Sequence, residues 1–322
     1  METGRILQRH LQLARQKERF MASMIALGSR SVQIHGRFIK IARLDADRYL
    51  FLDDPEAFVN ELRQVQPRLD LFTFLQRLPE TTPKFKYPME WDNLAVLPIT
   101  TFDEWWNKQL GFKGRNKAKQ AGKKGVVLRE VPFDDALVRG IWEIYNECPV
   151  RQGRPFSHFG KDLETVRRES ATYLEHSVFI GAFLDDQLIG FIKMTADETR
   201  TQANLMNIVS MIRHRDKAPT NALVAEAVRA CANRGIPNLV YSNFAYGRRQ
   251  TDSVSDFKER NGFFRVDLPR YYVPLTPLGR IALSCGLHRP LIHYIPESLL
   301  FKVRELRNSW YIRKMHSNAE AT

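Results

Sequence analysis

A group of basic residues lies directly before a predicted helix. Of all residues in this sequence, these have the types and spacing that most directly indicate a binding site. The group consists of Arg213, Arg215 and Lys217, and the helix after it extends from Pro219 to Gly235. Proline suits the first turn of a helix, and the N–H groups and dipole at a helix N-terminus favour an anion. Basic side chains can also pair with phosphate directly. The segment therefore predicts a phosphate site, and a basic loop without a ligand is the alternative.

A second basic segment, residues 113–125, holds six Lys or Arg residues in thirteen positions and ends on Gly125. It predicts a helix with glycine at its C-terminal end. Its first four cations are spaced two residues apart, so they wrap around the helix instead of lining one face. RNA phosphates would suit such a helix, but no aromatic residues are interleaved with the cations. We interpret the segment as a solvated basic helix, with RNA binding as the alternative.

Charge and cysteine content limit the classes of partner and compartment. The formal net charge of +13 should attract nucleic acid, anionic lipid or a polyphosphate cofactor, and a basic surface without a dedicated partner explains it equally well. Cys148, Cys231 and Cys285 lie far apart without metal-ligand spacing, which predicts no disulfide and no metal site. No apolar run is long enough to span a bilayer, and the charged N-terminus lacks a signal-peptide pattern. We expect a complete cytoplasmic protein.

The elements that must position these residues follow a regular order from residue 126 onward. Hydrophobic periodicity predicts β-α-α-β-β-β-α-β-α-β, an antiparallel meander followed by a βαβ unit. This is an α/β architecture, with a mixed sheet covered by helices. The predicted elements are strand 126–131, helices 134–147 and 161–175, strands 178–184, 188–195 and 204–212, helix 219–235, strand 239–244, helix 254–261 and strand 263–273.

The residues before 111 alternate between helix and strand patterns. A helix is predicted at 4–25, and residues 78–91, rich in Pro, Thr and Lys, predict a loop. Thr101 and Glu104 have the spacing of a helix-capping pair. The remaining predictions before that pair are strand 31–41, helix 53–65 and strands 69–75 and 93–99, and those after residue 275 are two helices and a polar tail.

Several of these segments together resemble the GNAT acyltransferase superfamily. The turn and strand start at 185–190 (DDQLIG) are similar to the GNAT meander, and the helix from Pro219 stands where the CoA-binding helix follows it. Residues 257–263 (FKERNGF) are similar to the FKxxxGF ending of the superfamily. The basic residues 115–126 and the RQG sequence at 151–153 resemble the FemAB-like branch, the peptidoglycan aminoacyltransferases and their relatives.

The resemblance implies a fold, a domain organisation and an activity. It implies a degenerate GNAT-like lobe in residues 1–110, a complete GNAT domain in 111–277, and C-terminal helices with a polar tail in 278–322. The implied activity is transfer of an acyl group from acyl-CoA or acetyl-CoA to an amine, without a metal. An aminoacyl-tRNA donor is the alternative, although residues 212–219 leave no room for the helical arm of tRNA-docking FemAB members. A catalytically silent binding module is the third hypothesis.

The resemblance also implies where CoA would bind. The GNAT phosphate loop reads Gln/Arg-x-x-Gly-x-Gly/Ala; here Arg215 matches the first position, whereas Ala218 and Thr220 replace the glycines and Pro219 removes an N–H donor. These departures keep the silent module open. The implied cofactor-binding residues are Ile208, Val209, Arg213, Arg215, Lys217, Ala218, Thr220, Asn221 and Asn243.

The implied catalytic groups lie on the strand before that loop. Backbone N–H groups between Asn207 and Ser210 would polarise the acyl carbonyl, and both side chains face the cleft as candidates. Tyr246 would reprotonate the thiolate, with packing on the sheet edge as the alternative. His158 is assigned a structural role. The implied substrate-binding residues are Arg115, Lys119, Tyr145, Arg151, Phe156 and Lys258.

The segment 277–311 mixes apolar residues with Arg and His. This pattern predicts either packing on the main domain, which we prefer, or contact with a membrane surface.

Overall fold

The computed structural model describes residues 24–28, 30–46, 49–151, 154–245 and 253–289. The predicted helix at 4–23, Tyr246 and most of the predicted C-terminal tail lie outside these ranges. In chain order the strands are β1 Met24–Leu27, β2 Arg30–His35, β3 Ile41–Leu44, β4 Leu71–Leu75, β5 Met89–Pro98, β6 Val127–Val131, β7 Val150–Arg151, β8 Arg154–Pro155, β9 Ser177–Leu184, β10 Gln187–Ala196, β11 Ala203–Ser210, β12 Asn238–Val240 and β13 Phe264–Pro274.

Five of the described helices begin at a short polar side chain that caps them. The side chains of Asp54, Thr101, Asp134, Asp162 and Thr276 each accept a hydrogen bond from a first-turn N–H group. The helices are α1 Pro55–Arg63, α2 Phe102–Glu104, α3 Phe112–Lys123, α4 Asp135–Asn146, α5 Leu163–Ser170, α6 Pro219–Asn233, α7 Ser253–Arg260 and α8 Pro277–Ser284, with a π-helical turn at Trp105–Gln109 and 3₁₀ turns at Leu174–His176 and Ile212–Lys217.

The described residues form two compact units. One contains the residues up to Asp92 together with 267–289, and the other contains residues 93–266. The contacts thus divide the chain after Asp92 and before Asp267, and the lobe boundaries at 110 and 277 stay a prediction. The reason is strand pairing: the end of β5 pairs with β12, and the end of β13 pairs with β4.

The first unit is a sheet with helices α1 and α8. Strands β1, β2 and β3 are antiparallel neighbours, β3 and β4 are parallel, and β4 is antiparallel to β13. Phe72 and Phe74 of β4 are buried, and the ring centroid of Phe74 lies 5.1 Å from that of Tyr271. The Tyr271 hydroxyl donates to Gln76 Oε1 at 2.7 Å and accepts from the Lys84 N–H at 2.9 Å. The buried Tyr271 hydroxyl is thus satisfied both as a donor and as an acceptor.

The second unit contains the meander and the βαβ unit predicted from residue 126. Its strand order is β5-β12-β11-β10-β9-β6, in which only β11 and β12 are parallel. Helices α4 and α6 both pack on β10, whose side chains are almost all buried. Asp185 and Asp186, between β9 and β10, have φ angles of 46° and 63°. This is the backbone that a two-residue hairpin turn requires, and Asp tolerates it better than most residues.

Some sequence predictions differ from the structure in particular places. The strand predicted at 31–41 is two strands, β2 and β3, separated by a tight turn after Gly36, whose φ is 90°. Met24 and Ile25, predicted at the end of a helix, lie in β1. The strand predicted at 239–244 ends as β12 at Val240, and Ile212 begins a 3₁₀ turn instead of ending β11.

Candidate active site

The candidate site lies in the second unit, where β11 and β12 separate. The two strands pair only at Ala203 with Leu239 and Asn204 with Val240. Opposite β10, the register of β11 shifts between Leu205 and Asn207, so Met206 is an extra residue. Such a bulge bends a strand and increases its twist. Beyond the bulge, residues 206–210 are only half-buried, as expected for a strand whose second edge faces a gap.

Tyr145 of α4 contacts Asn207 of β11, the strand that borders this gap. The Asn207 amide nitrogen lies 3.5 Å from the Tyr145 hydroxyl oxygen. The Tyr145 ring packs against Phe191, Phe156 and His158, at centroid distances of 5.9, 5.8 and 4.3 Å. Burial, and next the charge of Glu169, raise the pKa of Tyr145 above its ordinary value. The phenol therefore keeps its proton at neutral pH and can donate it to a hydrogen-bond acceptor.

His158 is the second titratable ring of this cluster. Burial, followed by the neighbouring Lys161, lowers the pKa of His158 to about 4. Lys161 Nζ lies 2.9 Å from His158 Nδ1 and is also paired with Glu169. Since an ammonium group can only donate, Nδ1 accepts and the ring proton is on Nε2. The ring is neutral at pH 7 and presents an N–H donor.

The lowered pKa of His158 predicts how stability responds to acid. The unfolded chain takes up a proton near the ordinary value of 6.5, whereas the folded protein resists it down to about 4. The stabilisation linked to the neutral ring is therefore complete above pH 6.5 and is lost as the pH falls to 4. His158→Gln should flatten the pH dependence of the free energy of unfolding in this window, measured by urea denaturation. His176→Gln, at an exposed histidine, should leave the wild-type slope, and equal slopes for all three proteins would contradict the prediction.

Arg151 and Glu147 fix the end of β11. One Arg151 Nη donates to the Ser210 carbonyl at 2.7 Å, and the other donates to the Ile144 carbonyl at 3.0 Å and lies 3.4 Å from Glu147 Oε2. The Glu147 carboxylate accepts from the N–H groups of Ile212 and Arg213, at 2.7 and 2.9 Å. The C-terminal end of α4 is thus bonded to the segment that follows β11. The guanidinium of Arg151 also lies over the Phe156 ring, 4.4 Å from its centroid.

The predicted phosphate loop has many of its N–H groups already bonded inside the protein. Ile212 and Arg213 donate to Glu147, Ala218 donates to the Arg215 carbonyl, and Asn221 donates to the Ala218 carbonyl. Pro219 has no N–H group. Ala218 has a φ of 55°, the left-handed conformation that the GNAT glycine would supply without strain.

The charged side chains of the loop form a mixed surface. Asp216 is paired with Lys124 at 3.0 Å and with Lys217 at 3.5 Å, and its hydrogen bond to Lys124 is the main cause of its lowered pKa. The side chains of Arg213 and Arg215 are exposed. This surface retains cations, but it offers few free backbone donors for a diphosphate.

The other predicted site residues are distributed as follows. Ser210 Oγ lies 2.9 Å from Thr220 Oγ1, so it faces α6 and not Tyr145. Ile208 and Val209 pack partly against the core. The Asn243 carbonyl accepts a hydrogen bond from Lys258, which is fully buried. Tyr246 lies outside the described residues.

The two basic residues assigned to the substrate lie on α3. One Arg115 Nη donates to the carbonyls of Asn107 and Leu110, at 3.0 and 3.1 Å, and so stabilises the start of its own helix. Lys119 is exposed. The structure therefore brings together Asn207, Tyr145, Arg151 and Phe156, and it places Arg115, Lys119, Ser210 and Lys258 in other surroundings.

Sequence reasoning missed Glu147, and it named His158 only as a structural residue. Glu147 stands four residues before Arg151, the spacing of a helical ion pair, and this signal was available. His158 carried no local signal, because its contact with Tyr145 depends on how the segment after β8 folds back on α4. Within the described ranges, no group of His, Cys, Asp and Glu could hold a metal ion. None of the described helices is long and apolar enough to cross a membrane.

Solved structures share this fold, although no protein-family model and no curated protein matches the sequence. FemX superposes with a TM-score of 0.56 at 10% identity, over 80% of this chain and 89% of FemX. The C-terminal domain of a putative lysylphosphatidylglycerol synthetase from Agrobacterium fabrum gives 0.54 at 13% identity, over 81% and 86%. L-PGS from Bacillus licheniformis gives 0.51 at 10% identity, over 82% and 87%. These structures confirm the GNAT-like α/β fold predicted from the sequence, and FemX is among the proteins that share it.

Proposed function

We propose that this protein is an acyltransferase that moves an aminoacyl group from an aminoacyl-tRNA to an amine, in the gap between β11 and β12. The observation that carries the proposal is the meeting of Tyr145 and Asn207 beside this gap. Attack of an amine on an ester carbonyl builds negative charge on the carbonyl oxygen. A phenol that keeps its proton, an amide and the strand N–H groups are donors that stabilise such a charge.

The choice of aminoacyl-tRNA over acyl-CoA rests on the loop after β11. A CoA diphosphate needs several free N–H groups at a helix N-terminus. Here the Glu147 carboxylate already binds the N–H groups of Ile212 and Arg213 in the turn before α6, and Pro219 removes a donor from the helix N-terminus itself. Two similar structures support the same choice of donor. They are a lysylphosphatidylglycerol synthetase domain and FemX of the aminoacyltransferase branch. The net charge of +13 suits an RNA carrier.

Acyl-CoA remains the second candidate, because one observation favours it. Ala218 holds the left-handed backbone of a GNAT phosphate loop, and exposed Arg213 and Arg215 stand beside it. The experiment that separates the two donors incubates the protein with radiolabelled aminoacyl-tRNA or radiolabelled acetyl-CoA, and measures loss of label from each. We expect an amine-dependent loss from aminoacyl-tRNA. Consumption of acetyl-CoA, with aminoacyl-tRNA left intact, would contradict the proposed donor.

Glu147→Ala should raise the affinity for CoA about tenfold, because it frees two N–H groups and removes a negative charge beside the loop. Isothermal titration calorimetry with CoA measures this change. Glu143→Ala is the matched control, since it removes a carboxylate one turn earlier on α4 that does not contact the loop N–H groups. An affinity unchanged in Glu147→Ala, or raised equally in both variants, would mean that Glu147 does not exclude the diphosphate.

A further inference from the structure

The first unit carries an exposed apolar surface on two elements, the β2–β3 turn and α8. Phe38, at the tip of the turn, is 86% exposed. Leu278 and Ile281 of α8 are 46% and 59% exposed, and Leu287, just after the helix, is 55% exposed. Isolated exposed apolar side chains are common, whereas several on adjoining elements indicate an interaction surface.

Helix α8 turns part of its apolar side outward. Gly279 and Ala282 face the protein and are buried. Leu278 and Ile281 are three residues apart and share the opposite face with exposed Cys285. A helix that only covered the core of this unit would have polar residues at these positions.

Asp70 joins the turn and the helix. Its carboxylate accepts a hydrogen bond from the Lys40 N–H at 2.9 Å, at the end of the turn, and from Thr276 Oγ1 at 2.8 Å, at the cap of α8. A Cβ on Gly279 would lie 1.9 Å from the Asp70 carbonyl oxygen, so the first turn of α8 rests directly on this backbone. The β2–β3 turn is tight, because a Cβ on Gly36 would lie 2.0 Å from the Ile39 carbonyl oxygen. Phe38 therefore stands at the tip of a tight turn whose end is bonded through Asp70 to the cap of α8.

Cations accompany these apolar side chains. Arg37 is exposed next to Phe38, and Arg280 is exposed between Leu278 and Ile281. We propose that Phe38, Leu278, Ile281 and Leu287, with Arg37 and Arg280, form a surface that binds an anionic lipid bilayer. Protruding apolar side chains enter the boundary between headgroups and acyl chains, and neighbouring arginines bind lipid phosphates. The charge favours a bilayer over a second copy of this chain, since two copies would bring like charges together.

The test measures flotation of the full-length protein with vesicles of phosphatidylcholine alone or mixed with phosphatidylserine. Phosphatidylserine is chosen because it supplies negative charge without the headgroup named in the similar structures, so surface binding is separated from recognition of a lipid substrate. Wild-type protein should float with the mixed vesicles, and raised salt should release it. Phe38→Ser and Ile281→Ser should each weaken the partition about tenfold.

Phe112→Ser is the matched control. Phe112 is 75% exposed and stands next to Lys113, yet it belongs to α3 in the second unit. It should float like the wild type, and thermal unfolding should show all three variants folded. Failure of the wild type to bind mixed vesicles, or equal losses in Phe112→Ser, would overturn the proposal. Self-association of the wild type in sedimentation velocity that Phe38→Ser abolishes would also overturn it, because the surface would then join two copies.

Discussion

Phenylalanine in place of Tyr145 should slow aminoacyl transfer about 10²-fold and leave the fold intact. Tyr145 is 3% exposed, and its ring, not its hydroxyl, makes the contacts with Phe191, Phe156 and His158. The substitution keeps those contacts and removes only the donor beside Asn207. Because the raised pKa keeps the phenol protonated, the lost group is a hydrogen-bond donor and not a base.

The measurement is single-turnover transfer from aminoacyl-tRNA under saturating acceptor, with thermal unfolding on the same samples. Tyr271→Phe is the control, since Tyr271 is another buried tyrosine with a hydrogen-bonded hydroxyl. It should lower stability by about 0.5–1.5 kcal/mol, because the hydrogen bonds of its hydroxyl are lost while the Lys84 N–H stays bonded to Gln76 Oε1 at 3.3 Å, and it should leave the transfer rate unchanged. A Tyr145→Phe variant that retains the wild-type rate would remove Tyr145 from the chemistry.

Alanine in place of Trp105 should lower the free energy of unfolding by about 3–5 kcal/mol. Trp105 is fully buried in the π-helical turn after α2, and its indole N–H donates to the Asn261 carbonyl at 2.9 Å. Its ring centroid lies 5.6 Å from that of Phe102. The substitution creates a cavity and leaves a buried carbonyl without its donor, two costs that add.

Guanidinium denaturation measures this change, with Trp105→Phe and Trp91→Ala as companions. Trp105→Phe loses the hydrogen bond but keeps part of the ring volume and so leaves a smaller cavity, and its stability should fall between those of the other two proteins. Trp91 is 54% exposed, and its replacement should change stability by no more than about 0.5 kcal/mol. A Trp105→Ala protein as stable as Trp91→Ala would contradict the assigned packing.

Much of the second unit could be predicted from local sequence, because its signals are local. The Asp185-Asp186 turn, the caps Asp134 and Asp162, and the helix from Pro219 depend on neighbouring residues. The near-continuous apolar runs of β9 and β10 similarly indicate a central strand pair that is buried on both faces.

The missed features depend on contacts distant in sequence. β12 ends at Val240 because β11 bends away after its bulge, and no residue of β12 encodes that. The Glu147 carboxylate accepts hydrogen bonds from N–H groups 65 and 66 residues away in the chain. The local phosphate-loop pattern therefore does not indicate that these donors are already bonded. The single strand predicted at 31–41 covers parts of both β2 and β3, because the Gly36 turn lies within a continuous stretch of residues typical of strands.

The bond between Glu147 and the loop after β11 also has a dynamic consequence. Glu147 lies two residues after Tyr145 at the end of the same helix, so a donor that displaced the loop would pull on the helix end that carries Tyr145. Under the proposed function, occupancy at one side of the gap would then alter affinity at the other, and by thermodynamic reciprocity the acceptor would alter donor affinity equally. The proposed donor and acceptor would thereby be linked through a single carboxylate.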